Sequence, residues 1–80
     1  MTVHYTNKAY KDLESLAQND RRRVVEALDR FAEGGTGDVR ALAGRWKGNF
    51  RLRVGNLRAI LRVDQGIIVV RVLHRREAYR

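Results

Sequence analysis

From Phe50 onward the chain alternates apolar and basic residues. Phe50, Leu52 and Val54 fall on one side of an extended segment, with Arg51 and Arg53 on the other; this two-residue period predicts a strand with one face buried. Gly55-Asn56 comes next, a two-residue turn with glycine first, which predicts a type II′ hairpin. In that register Val54 opposes Leu57, Arg53 opposes Arg58 and Leu52 opposes Ala59. The return strand directs Leu57, Ala59, Leu61 and Val63 to the core, and Arg58, Ile60 and Arg62 to the other face. Asp64-Gln65-Gly66 makes a second turn into a last strand over residues 67–73. That strand is apolar on both faces apart from Arg71, the composition of a central strand. Its facing stays open, because a glycine bulge at Gly66 would shift the parity of the residues after it.

The first half has a helical period. Thr2 to Tyr5 alternates briefly, with Val3 and Tyr5 on one side, and predicts a short edge strand. Thr6 or Asn7 then caps a helix running to about Ala17, whose apolar stripe is Ala9, Leu13, Leu16 and Ala17. Asn19 and Asp20 are cap candidates for a second helix, buried along Val24, Val25, Leu28, Phe31 and Ala32 and ended by Gly34-Gly35. Residues 34–49 read as a long connection that Leu42 and Trp46 pin to the core. The fold class is α+β: an N-terminal helical hairpin packed on one face of a small, mainly antiparallel β-sheet.

Composition sharpens this picture. Eighty residues fit one domain. With no cysteine there is neither a disulfide frame nor a thiolate metal site. His4 and His74 do not make a zinc site, so no metal or cofactor is expected. MTVHYTNKAY is polar throughout, and no apolar run reaches the roughly 20 residues of a bilayer span. A cytoplasmic protein without a membrane partner is the default expectation. The charge is distributed unevenly. Residues 1–44 hold seven Lys/Arg and seven Asp/Glu, whereas residues 45–80 hold ten Lys/Arg against Asp64 and Glu77, so the formal +8 sits entirely in the second part. Such a field speaks to polyanion partners.

Two arginines directly opposed across a hairpin repel each other. Guanidinium cannot shed its charge, so relief requires an anion or carboxylate between them. Arg51, Arg53, Arg58 and Arg62 thus predict a phosphate-facing sheet, with bidentate arginines holding the oxygens. His74, Arg75, Arg76 and Tyr79 come after the last strand and are expected against the same cluster. Tyr79, beside arginines that favour its phenolate, and His74, an imidazole, are the candidate proton carriers. Arg45, Lys47, Arg62, Arg71, His74 and Arg76 complete the expected polyanion-binding set. Arg21-Arg22-Arg23 opens the second helix, the wrong end of its dipole for positive charge, and reads as a solvated face. Gly34-Gly35-Thr36-Gly37 lacks the lysine and helix of a P-loop.

YTNKAYKDLESL, the Leu42-Ala43-Gly44 step, the RLRVG-x-x-R hairpin and the HRRE-x-Y ending together resemble the RelE/ParE superfamily of toxins from bacterial toxin–antitoxin pairs, over nearly the whole chain. Members on the RelE branch enter the ribosomal A site and cleave mRNA without a metal. The resemblance implies a catalytic set of Arg51, Arg53, Arg58, Arg75 and Tyr79. It also implies ribosome and mRNA as partners, and a cognate antitoxin forming a toxin–antitoxin hetero-oligomer. Arg51 and Arg53 stand where some members carry lysine, Leu57 where an aromatic is frequent, and the chain stops after Tyr79 with no C-terminal helix expected. The alternatives are a DNA gyrase inhibitor like those of the ParE branch, whose last strand has similar VLH segments, and a non-enzymatic basic nucleic-acid-binding module. The HRREAY ending favours the nuclease.

Overall fold

The computed structural model describes residues 1–78. The chain runs through β1 (Val3–Tyr5), α1 (Asn7–Glu14), α2 (Gln18–Gly34), β2 (Asp38–Ala41), a 3-10 turn (Gly44–Trp46), β3 (Phe50–Val54), β4 (Leu57–Val63), β5 (Ile67–His74) and a short helical turn α3 (Arg75–Ala78). One sheet has the order β1-β5-β4-β3-β2, antiparallel throughout except where β1 runs parallel to β5. The architecture is the expected α+β one. The hairpin of β3 and β4 has the register its sequence predicts, with Arg53 against Arg58 and Leu52 against Ala59. Gly55 alone of the turn pair has positive φ, at 59°, as a type II′ turn requires. A Cβ there would also lie 2.9 Å from Arg23 Nη2.

Several boundaries differ from the sequence reading. The 34–49 connection is not a plain loop: Asp38–Ala41 pairs with β3 as the edge strand β2, and a 3-10 turn comes after it. A four-residue strand with only Val39 half-buried has too little alternation to declare itself. The irregularity in the last strand is not at Gly66. It lies where Ile60 pairs with Arg71 but Leu61 pairs with Val69, leaving Val70 as the extra residue. This bulge lets Ile67, Val69 and Val72 all enter the helix-side core while Leu73 joins the opposite face.

The helical hairpin is held by local chemistry. Thr6 Oγ1 accepts from Ala9 N at 3.1 Å, capping α1, and its hydroxyl donates to Val70 O at 2.9 Å. α1 stops at Glu14, three residues short of the predicted end. There Arg21 Nε donates to Leu13 O and Nη2 to Leu16 O, at 3.1 and 3.2 Å. Arg21 therefore belongs to the negative end of α1 rather than to a plain solvated face. α2 starts at Gln18, so Asn19 and Asp20 lie inside it rather than at its cap. Gly35, in the left-handed region, ends it as expected, its N–H on Phe31 O.

The main core lies between the helices and one sheet face, around Val24, Leu28, Leu52, Leu61, Ile67 and Val69. On the other face Ile60 and Leu73 are buried by Leu42, Trp46 and Val70. Leu42 and Trp46 thus pin their segment as predicted, but to this second, smaller cluster. Among the described residues no helix is long and apolar enough to cross a membrane.

Candidate polyanion-binding face

Strand pairing fixes which side chains share the sheet face turned away from the helices. One row across β2, β3, β4 and β5 is Arg40, Arg51, Ile60 and Arg71; the next is Asp38, Arg53, Arg58 and Leu73. Arg51, Arg53 and Arg58 therefore do come together on one face. Arg53 and Arg58 turn their head groups toward different partners. Arg58 turns toward the hairpin turn, where Nη1 donates to Gly55 O at 2.8 Å and Leu57 O at 2.9 Å. Arg53 Nη1 points the other way and lies 4.0 Å from Asp38 Oδ2.

Asp38 is the residue that reading the sequence missed. Its carboxylate lies 3.3 Å from Arg51 Nη1, and its carbonyl accepts from the same nitrogen at 3.0 Å. Diagonal neighbours across a sheet stay within reach of long side chains, which is why a residue opposite Arg53 serves Arg51. The sequence signal was faint: Asp38-Val39-Arg40 alternates over only three residues. Burial separates the arginines sharply. Arg51 and Arg58 are 7% and 6% exposed, whereas the Arg53 side chain is 55% exposed. The buried pair is held in place by main-chain carbonyls of Asp38, Gly55 and Leu57, and Arg53 is the accessible donor.

The other predicted residues within the described part fall in four places. Arg75, Arg76 and His74 are exposed and line a cavity of about 600 Å³ with Asn56 and Glu77. Arg75 N donates to Asn56 O at 2.9 Å, so Arg58 and Arg75 are both attached to the Gly55-Asn56 turn. Arg75 and Arg76 lie in α3 (Arg75–Ala78), where the sequence predicted no helix after the last strand. Arg45 and Lys47 lie exposed on the segment covering the apolar part of the face, Arg45 stacked 5.1 Å over the Trp46 ring. Arg62 is exposed beyond the bulge, at the end of β4 far from the turn. Arg71 is engaged within the molecule, Nε donating to Asp12 Oδ2 at 2.8 Å and Nη2 to Oδ1 at 3.1 Å. The Asp12 hydrogen bond raises the guanidinium further above its already high range. Tyr79 lies outside the described residues. No group of three His, Cys, Asp or Glu able to hold a metal occurs among the described residues.

This arrangement can bind phosphate esters and stabilise negative charge developing on them; its accessible donors are Arg53 and the Arg75 side of the turn. The model of the ParE toxin of type II toxin–antitoxin systems, parDE, matches residues 3–79. No curated protein matches the sequence. Among solved structures, a chain of the RelB–RelE antitoxin–toxin complex from Methanococcus jannaschii is 26% identical, with 95% of this chain and 94% of that chain covered and a TM-score of 0.76. A chain of the RelBE2 toxin–antitoxin complex from Mycobacterium tuberculosis is 29% identical, covering 91% and 95% at a TM-score of 0.63. YafQ from E. coli strain BL21(DE3) shares the fold at 16% identity, 99% and 98% coverage and a TM-score of 0.77. With the family model spanning nearly its full length and the RelE fold around it, this chain belongs to the ParE toxin family of type II toxin–antitoxin systems, within the RelE/ParE superfamily.

Proposed function

We propose that this toxin is a metal-independent endoribonuclease that cuts mRNA in the ribosomal A site and is neutralised by a cognate antitoxin bound over its basic face or helical hairpin. The observation that carries the reading is the cross-strand Arg53–Arg58 pair, with Arg51 on the same face and Arg58 tied to the turn that also holds Arg75. Such a cluster suits in-line transesterification. The ribose 2′-hydroxyl gives up its proton to water as its oxygen attacks the adjacent phosphorus, the bond to the 5′-oxygen breaks, and a 2′,3′-cyclic phosphate and a 5′-hydroxyl result. The phosphorane carries extra negative charge, and guanidiniums fixed beforehand stabilise it without reorganising. Arg75 and Arg53 contact the phosphate, while Arg51 and Arg58 supply the underlying field. Tyr79, with His74 in reserve, delivers the proton to the leaving oxygen. Arg45, Lys47, Arg62 and Arg76 extend the track for the RNA backbone.

The family model favours a second reading, inhibition of DNA gyrase without RNA cleavage, as on the ParE branch. One paired assay separates them. Purified toxin is added to translating ribosomes, with primer extension on the mRNA, and in parallel to a gyrase supercoiling reaction. New 5′ ends within ribosome-bound mRNA, lost in Arg75→Ala, are expected; intact mRNA with blocked supercoiling would assign the chain to the second class.

A further inference from the structure

Asp38 sits on the face the proposed function uses, yet it is an acid among arginines. Its carboxylate lies 3.3 Å from buried Arg51 and 4.0 Å from exposed Arg53, and its side chain is 46% exposed. The two contacts differ in kind. Arg51 also donates to the Asp38 backbone carbonyl at 3.0 Å, a bond that survives any change of the carboxylate. Arg53 has only the long, solvated contact, which is worth little in water.

Resting on the phosphate-binding reading of this face, we propose that Asp38 is a positioning residue. In the free toxin it occupies the place between Arg51 and Arg53 that a backbone phosphate of single-stranded RNA takes when bound. An incoming phosphate displaces the carboxylate from Arg53, the weaker and more exposed partner, while Arg51 stays anchored to strand β2. A carboxylate bridging two guanidiniums presents the same kind of oxygens a phosphodiester does, so it biases Arg53 toward its RNA-bound direction without holding it tightly. It also opposes binding through its own charge, keeping the face from retaining free polyanions.

Asp38→Asn tests this, because the amide is nearly isosteric and keeps both an oxygen acceptor and the main-chain carbonyl. Asp64→Asn is the control. It makes the same change in net charge on the exposed turn between β4 and β5, away from the arginine rows. Binding of a fluorescein-labelled 12-nucleotide single-stranded RNA is followed by anisotropy between 50 and 200 mM KCl for wild type and both variants, with thermal melts confirming the fold. Asp38→Asn is expected to bind about 5-fold or more tighter than Asp64→Asn. Its plot of log affinity against log salt is expected to steepen by about 0.7, the increment for one additional phosphate on a single strand. Equal affinities and slopes for the two variants, weaker binding by Asp38→Asn, or no RNA binding by any of the three proteins would each overturn the assignment. Cleavage on ribosomes is scored separately. Loss of the nuclease reading with the Asp38–Asp64 difference intact leaves the positioning role standing, and cleavage with no such difference removes it alone.

Discussion

Arg71 and Asp12 form a two-point ion pair between the last core strand and the first helix, with the same carboxylate accepting Val72 N at 2.9 Å. The pair explains how the sheet closes its edge. β1 covers β5 only from Ile67 to Val69, and α1 takes over beside the remainder, with Thr6 on Val70 O and Asp12 on Val72 N. A side chain thus replaces the missing strand for a main-chain donor that would otherwise be left over.

Asp12→Ala removes three accepted hydrogen bonds, including the one from a main-chain N–H. Hydrogen bonds to charged groups contribute about 2 kcal/mol, so the melting temperature should fall by about 10 °C. Arg71→Met should cost less, because Asp12 still satisfies Val72. Thermal unfolding of the two variants checks the order.

Arg58 and Arg53 are neighbours in register but not in consequence. Truncating buried Arg58 strips two turn carbonyls of their donor and leaves a void, so Arg58→Ala should lose about 2 kcal/mol along with RNA binding. Arg53→Ala at an exposed position should stay within about 0.5 kcal/mol of wild type yet weaken RNA affinity. Urea melts beside anisotropy titrations distinguish the two effects. Toxicity lost in Arg58→Ala alone does not report on chemistry.

Gly37→Ala should be among the harsher single-methyl additions. Gly37 has φ of 155°, and a Cβ there would lie 2.8 Å from Leu52 Cδ1, on a leucine 1% exposed. Overpacking of this kind costs about 2 kcal/mol. The start of β2 should shift with it, visible as amide shift changes at Asp38 and Val39.

Tyr5 gives the alkaline limit. Burial, with the negative charge of Asp29 second, raises its phenol above the ordinary 10.0. The folded state then holds this proton more tightly than the unfolded chain does. Its contribution is complete below pH 10 and is lost as pH rises through the higher folded value. Melting temperature should decline more steeply above about pH 10 in wild type than in Tyr5→Phe.

The β3–β4 hairpin, its register and its arginine-bearing face were legible because strand period and turn chemistry are local. Five residues of alternation and a leading glycine specify which side each arginine takes. Both helices were legible for the same reason, though not their inner ends, which Arg21 sets by reaching across from α2 to α1. The basic second half and the motif endings pointed to the superfamily before any coordinates. β2, Asp38 and the fate of Arg71 were not legible. A short edge strand exists only because a partner supplies its hydrogen bonds, and an ion pair 59 residues apart leaves no periodic trace.

From the amino-acid order alone came the two main helices, the strands β1, β3, β4 and β5 and the guanidiniums on the outer sheet face, since each is set by spacing within a few residues. Three-dimensional packing alone decided which guanidiniums are buried, which carboxylates neutralise them and which are left for a ligand. Those outcomes depend on where a bulge lets β5 change sides and on what the neighbouring strand and helix bring within 3–4 Å.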